Sequence, residues 1–75
     1  GRQDIRLREV NWLVPPAPLA CTVKLRAREA PHAAEVTPTG DGALVRLATP
    51  SLAAPGQACV FYDGDRVLGG GFIQR

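Results

Sequence analysis

Cys21-Thr22-Val23-Lys24-Leu25-Arg26-Ala27-Arg28 is the stretch that decides the fold. Successive side chains of an extended chain point to opposite faces. Cys21, Val23, Leu25 and Ala27 therefore share one side, and Thr22, Lys24, Arg26 and Arg28 share the other. An apolar face backed by a charged one is the pattern of a half-buried strand. No window of the sequence carries apolar residues at i, i+3, i+4 and i+7 free of proline, so helices are not expected.

The same alternation recurs on either side. Residues 4–10 place Ile5 and Leu7 on one face and Arg6 and Arg8 on the other. Asn11-Trp12-Leu13 then leads into Val14-Pro15-Pro16-Ala17-Pro18, whose prolines exclude a central strand and predict an extended loop. Ala30-Pro31-His32 breaks the second run, and residues 34–37 form a third strand closed by Pro38. Thr39-Gly40-Asp41-Gly42 reads as a turn. Residues 43–48 form a fourth strand, with Val45 and Leu47 inward and Arg46 outward, followed by a loop over 49–57 that contains Pro55-Gly56.

Ala58-Cys59-Val60-Phe61-Tyr62 is almost continuously apolar, as in a strand buried on both faces or crossing a barrel corner. Asp63-Gly64 signals a hairpin, with Asp65 able to lengthen it, and the last strand runs through Arg66-Val67-Leu68, Gly69-Gly70-Gly71 and Phe72-Ile73. The expected fold is all-β: one domain over residues 1–75, built as a small six-stranded, mostly antiparallel β-barrel.

Composition sets the bounds. Eight glycines and seven prolines in 75 residues indicate many turns, while an apolar fraction of 45% is that of a packed domain and not of a disordered one. A chain this short buries only about 60% of its unfolded surface. Domains of this size often lean on a neighbour, a metal or a disulfide. No metal is expected, because His32 is the only histidine and Cys21 and Cys59 lie far apart with no Cys-x-x-Cys spacing. No apolar run resembles a signal sequence or a membrane span, so the reading is a cytoplasmic protein with reduced, buried thiols.

Each candidate site has an ordinary explanation beside it. Lys24, Arg26 and Arg28 recur every second residue, which sets them roughly 7 Å apart on one face, near the phosphate spacing of a nucleic-acid strand. The pattern alone fits a solvated barrel exterior better, and a net charge of +2 does not by itself indicate nucleic acid. Trp12 could stack on a base, but packing is the better expectation for a lone indole. Gly69-Gly70-Gly71 lacks the Gly-Lys-Ser/Thr of a phosphate loop, so a bulge or a close backbone approach is expected. Asp63 and Asp65 serve a turn, with no third metal ligand in view. His32 has no acidic or nucleophilic neighbour in sequence and is expected to be exposed in a loop. No catalytic constellation can be assembled, so catalytic residues are not expected in this chain.

Three stretches carry a resemblance. The segment from Pro55 through Gly71, Pro-Gly-Gln-Ala-Cys-Val-Phe-Tyr-Asp-Gly-Asp-Arg-Val-Leu-Gly-Gly-Gly, closely resembles the C-terminal signature of the tRNA-specific 2-thiouridylases. Glu9-Val10-Asn11-Trp12-Leu13 looks like the segment that opens the last domain of that family, and the Cys21–Arg28 run is similar to its Lys-x-Arg-Tyr-Arg-Gln strand. Ala27 and Glu29 stand where the family has tyrosine and glutamine.

The resemblance implies a non-catalytic C-terminal domain of a longer cytoplasmic sulfurtransferase that thiolates the wobble uridine of tRNA at C2. The catalytic cysteines and the ATP site would lie in other domains, so Cys21 and Cys59 inherit no catalytic role and the segment itself holds no cofactor. The implied partners are tRNA, the remaining domains of the enzyme and a sulfur-carrier protein, with no membrane. The resemblance also tips Lys24, Arg26 and Arg28 toward RNA contact. The rival expectation is a structural or protein-interaction barrel with little RNA contact.

Overall fold

Alternation in the sequence becomes alternation of burial in space. The structure, a computed structural model, describes residues 2–25 and 30–74. It contains six strands: β1 (Arg2–Trp12), β2 (Leu19–Lys24), β3 (His32–Pro38), β4 (Gly42–Ser51), β5 (Ala58–Asp63) and β6 (Arg66–Ile73). They close into a barrel in the order β1-β4-β3-β2-β5-β6, and every neighbouring pair is antiparallel. β2, β3 and β4 form a meander with β1 laid beside β4, which is a Greek-key arrangement. Closure leaves no strand with an unpaired edge row.

The inward positions supply the core. Ile5 and Leu7, Val23 and Leu25, Val36, Val45 and Leu47, Phe61 and Ile73 are all buried. Each such side chain contributes roughly 1.5–3 kcal/mol by leaving water. No polar or charged side chain is buried among the described residues, so the interior carries no desolvation penalty for a charge.

Two bulges shape the barrel. Between β1 and β6 the register passes from Arg8↔Phe72 to Asn11↔Gly70, so Glu9 and Val10 together oppose Gly71. Glu9 takes φ 52°, the left-handed conformation that relieves the extra residue. The insertion inverts the alternation of β1. Ile5 and Leu7 point inward before it, and Val10 and Trp12 pack on the core after it. The Trp12 ring then lies 5.4 Å from that of Phe61 with the planes tilted by 48°, and plugs one end of the barrel as a packing residue. In the second bulge, Phe61↔Gly69 gives way to Tyr62↔Val67, leaving Leu68 as the additional, buried residue.

The connection after β4 is tied to β6. The Gly56 amide donates to the Ile73 carbonyl at 2.8 Å, and the Ile73 amide donates to the Gln57 carbonyl at 2.8 Å. The Gln57 side-chain oxygen accepts from the Ala54 amide at 3.2 Å.

Several expectations change in detail. The second strand starts at Leu19 and ends at Lys24, with Leu25 buried in a bend. Residues 26–29, including Arg26 and Arg28, lie outside the described residues. β4 continues to Ser51, past the point where a loop was expected, because Ser51 still pairs with Arg2 across an irregularity that accommodates Pro50. His32 is half-buried, not exposed in a loop, because the β2–β3 ladder extends to the Val23↔His32 pair. β5 is not buried on both faces. Cys59 and Phe61 point inward, whereas Val60 and Tyr62 are half-buried on the outside. The glycine run is strand, and it admits close backbone approach as expected.

Candidate nucleic-acid interface

Lys24 stands outside the barrel because its neighbours Val23 and Leu25 are committed to the core. Its register partner on β5 is Val60, and the diagonal neighbour Tyr62 provides a platform. The Lys24 ammonium lies 5.5 Å from the centre of the Tyr62 ring. The Thr22 hydroxyl donates to the Tyr62 carbonyl at 3.4 Å and ties the two strands at the same place. A cation held over a ring keeps its whole positive charge, whereas one paired with a carboxylate does not.

Two other described cations, Arg46 and Arg8, show the contrast. The Arg46 Nε donates to Asp4 Oδ1 at 2.9 Å across the β1–β4 pair, an exposed ion pair that also holds the Asp4 carboxyl below the usual carboxylate range. Arg8 is 2.6 Å from the Glu9 carboxylate and sits 5.7 Å from the centre of the Phe72 ring. Lys24 is thus a ring-supported cation on the outer face of β2, whereas Arg26 and Arg28 lie outside the described residues. Tyr62, its support, was not legible in the sequence as part of this site, because nothing local gives the β2–β5 register.

The thiols do not suggest chemistry. Cys21 and Cys59 are free. Burial, and secondarily the Cys21 thiol, pushes Cys59 up to about 12, and burial with the Asp63 charge raises Cys21. Such thiols are poor nucleophiles at neutral pH. No group of three His, Cys, Asp or Glu side chains able to hold a metal exists among the described residues, and Asp63 and Asp65 are exposed around the Gly64 turn. No described helix is long and apolar enough to cross a membrane.

A second feature adjoins this face. The outer surface of β5 and β6, with the end of β1, holds a shallow apolar groove of about 300 Å³. Its floor is Gly70, flanked in register by Val60 on β5 and Asn11 on β1. Leu13, Val67 and Phe72 wall it.

Comparison with known proteins gives this geometry a context. Residues 2–73 match the family of the aminomethyltransferase beta-barrel domain. The chain is 56% identical over 75 residues to the tRNA-specific 2-thiouridylase MnmA of Acidiphilium cryptum, covering 97% of this chain and 21% of that protein. It is 53% identical over 76 residues to the enzyme of the same name from Gluconobacter oxydans, with the same coverage. For that of Rhodospirillum centenum it is 51% identical over 79 residues, covering 100% of this chain and 20% of the relative. The chain therefore spans about a fifth of the length of the curated relatives it matches. With its closed six-stranded barrel and a family match over nearly its whole length, the chain belongs to the aminomethyltransferase beta-barrel domain family, in the form found as the C-terminal domain of tRNA-specific 2-thiouridylases.

Proposed function

We propose that this barrel is a non-catalytic domain that helps bind and position tRNA for ATP-dependent 2-thiolation of the wobble uridine. The observation that carries the reading is Lys24, its ammonium 5.5 Å from the centre of the Tyr62 ring and in no ion pair with a carboxylate among the described residues, at the head of a sequence run that continues to Arg26 and Arg28. Phosphate contacts dominate the affinity of most nucleic-acid interfaces, and they need cations free to face outward. The relatives' name, tRNA-specific 2-thiouridylase, supplies the substrate class. In this reading ATP, the reactive sulfur and any sulfur-carrier protein are handled by other domains of a longer cytoplasmic enzyme, and this chain contributes no reacting group.

The test is binding of an unmodified tRNA with a wobble uridine across a salt series. About three phosphate contacts give a slope near −2 to −3 in log affinity against log salt. Replacing Lys24, Arg26 and Arg28 together with alanine is expected to flatten that slope and lower affinity while leaving the circular dichroism of the barrel unchanged. Equal binding by the triple variant and the parent overturns the reading.

The second reading, a buttressing barrel with little RNA contact, is favoured by one observation, the apolar groove beside the basic face.

A further inference from the structure

Three of the four large apolar residues that stand exposed on the described surface gather at one place. Leu13 is 60% exposed, Phe72 42% and Val67 40%, and all three wall the groove over Gly70. On an ordinary solvated strand these outward positions are polar. A contiguous apolar patch on a soluble domain marks a contact surface, whereas apolar residues scattered singly do not.

The β1 bulge helps to make the groove. By inverting the alternation it turns Val10 and Trp12 inward and leaves Asn11 and Leu13 on the outside, beside Gly70. Gly70 then presents bare backbone between its register partners Val60 and Asn11. The result is a socket for a large aliphatic or aromatic side chain. Because the barrel is closed at this point, an incoming strand has no edge to pair with, and docking must proceed by side-chain insertion.

Charge and size select the occupant. Among the described residues Glu9 is the only charged one lining the groove, and its carboxylate is taken by Arg8 at 2.6 Å. The described lining of the groove holds one carboxylate and no cation, while Lys24, the register partner of Val60, directs its ammonium over Tyr62 outside that lining, so RNA is disfavoured within the groove. A stable complex between separate proteins buries about 800 Å² on each partner, more than this short groove offers. A tethered partner needs far less surface, because linkage supplies a high effective concentration. The relatives hold about four-fifths of their length outside the matched segment.

We infer that the β5–β6–β1 groove is the docking socket for an apolar side chain from another domain of the same longer polypeptide. The inference rests on the reading that this barrel is one domain of such an enzyme. It sets two neighbouring outer faces to different tasks: β5–β6–β1 toward the protein, and the Lys24 side of β2 toward RNA.

The experiment uses the longer polypeptide that carries this segment. Leu13→Asp and Val60→Lys are introduced singly, with Leu52→Asp as control, since Leu52 is 67% exposed and does not line the groove. Amide exchange of β4 in each protein reports whether the barrel itself remains folded. Both groove variants are expected to speed proteolytic cleavage between the barrel and the rest by about tenfold, the factor that losing one buried aliphatic contact implies. The control is expected to match the parent. Unchanged cleavage with β4 still protected overturns the inference. So does a loss of self-association with unchanged cleavage, which assigns the groove to a second copy, or a loss of tRNA affinity with unchanged cleavage, which assigns it to RNA. The tRNA-positioning reading fails separately, on the Lys24, Arg26 and Arg28 triple variant, so the two failures are distinguishable.

Discussion

Val10 occupies the space that a side chain at Gly71 would need. A methyl group at position 71 would lie 2.8 Å from Val10 Cγ2 and 2.9 Å from the Arg8 carbonyl oxygen. The bulge and the glycine are therefore one device: the extra residue in β1 presses its neighbour into the gap left in β6. Gly71→Ala is expected to destabilise the barrel by about 1–3 kcal/mol, the usual range for overpacking. Thermal unfolding reads this as a fall in Tm of roughly 4–8 °C for each kcal/mol. Trimming the partner with Val10→Ala recovers only part of the loss, because the backbone oxygen of Arg8 cannot move away.

Glu9 holds φ 52° without being glycine. The left-handed conformation disfavours a Cβ by roughly 1–2 kcal/mol, and the exposed Glu9–Arg8 pair returns little of that. Glu9→Gly is expected to stabilise the barrel by about 1 kcal/mol, even though it removes an ion pair. A lower Tm for that variant would show that the carboxylate contributes more than the backbone strain.

Asp4 and Arg46 bridge β1 and β4 on the surface. The bond from Arg46 lowers the Asp4 pKa in the folded barrel relative to its usual value of 3.8. A depressed folded pKa means that the unfolded chain binds more protons as the pH falls, so the contribution is present above about pH 4 and is lost on acidification through the lowered pKa. Asp4→Asn is expected to lower Tm slightly at pH 7 and to match the parent near pH 2. A gap between the two that persists at low pH would mean that the pair acts through packing.

Cys59 is fully enclosed, and its pKa is pushed up to about 12. It is expected to resist alkylation at pH 8 in the folded chain and to react at once in denaturant. The raised folded pKa keeps its contribution to stability complete below about pH 9 and erodes it between there and about 12. Cys59→Ser buries a hydroxyl in apolar surroundings, a change expected to destabilise by about 1–3 kcal/mol. Fast labelling of the native chain at pH 8 would show that the barrel opens at that point.

The strands were legible wherever one face meets water and the other the core. Residues 4–8 and 21–25 announce themselves by period-two alternation, and the structure buries Ile5, Leu7, Val23 and Leu25 while leaving Cys21 half-buried; in β4 the expected inward pair Val45 and Leu47 is buried as well. The Ala58–Tyr62 stretch misled because apolar identity does not say which face is wet. Val60 is apolar for the groove and not for the interior. The β1 bulge left no mark in the sequence, since the residue with positive φ is a glutamate. Of the candidate site, the outward direction of Lys24 was readable from its neighbours. Its aromatic support and the groove were not, because both join residues that only the β2–β5, β5–β6 and β1–β6 registers bring together.

β1 pairs with β6 as well as with β4, and Leu7 faces Ile73 almost a whole chain length away. During synthesis the first strand must therefore wait for the last, on the order of seconds at ordinary ribosome speeds. Until then Leu7 lacks one of its two flanking strands, and the seam through which the barrel shuts stays open. A chain stalled or clipped ahead of Ile73 would be released as an unsealed sheet with two bare margins, a natural target for quality-control proteases.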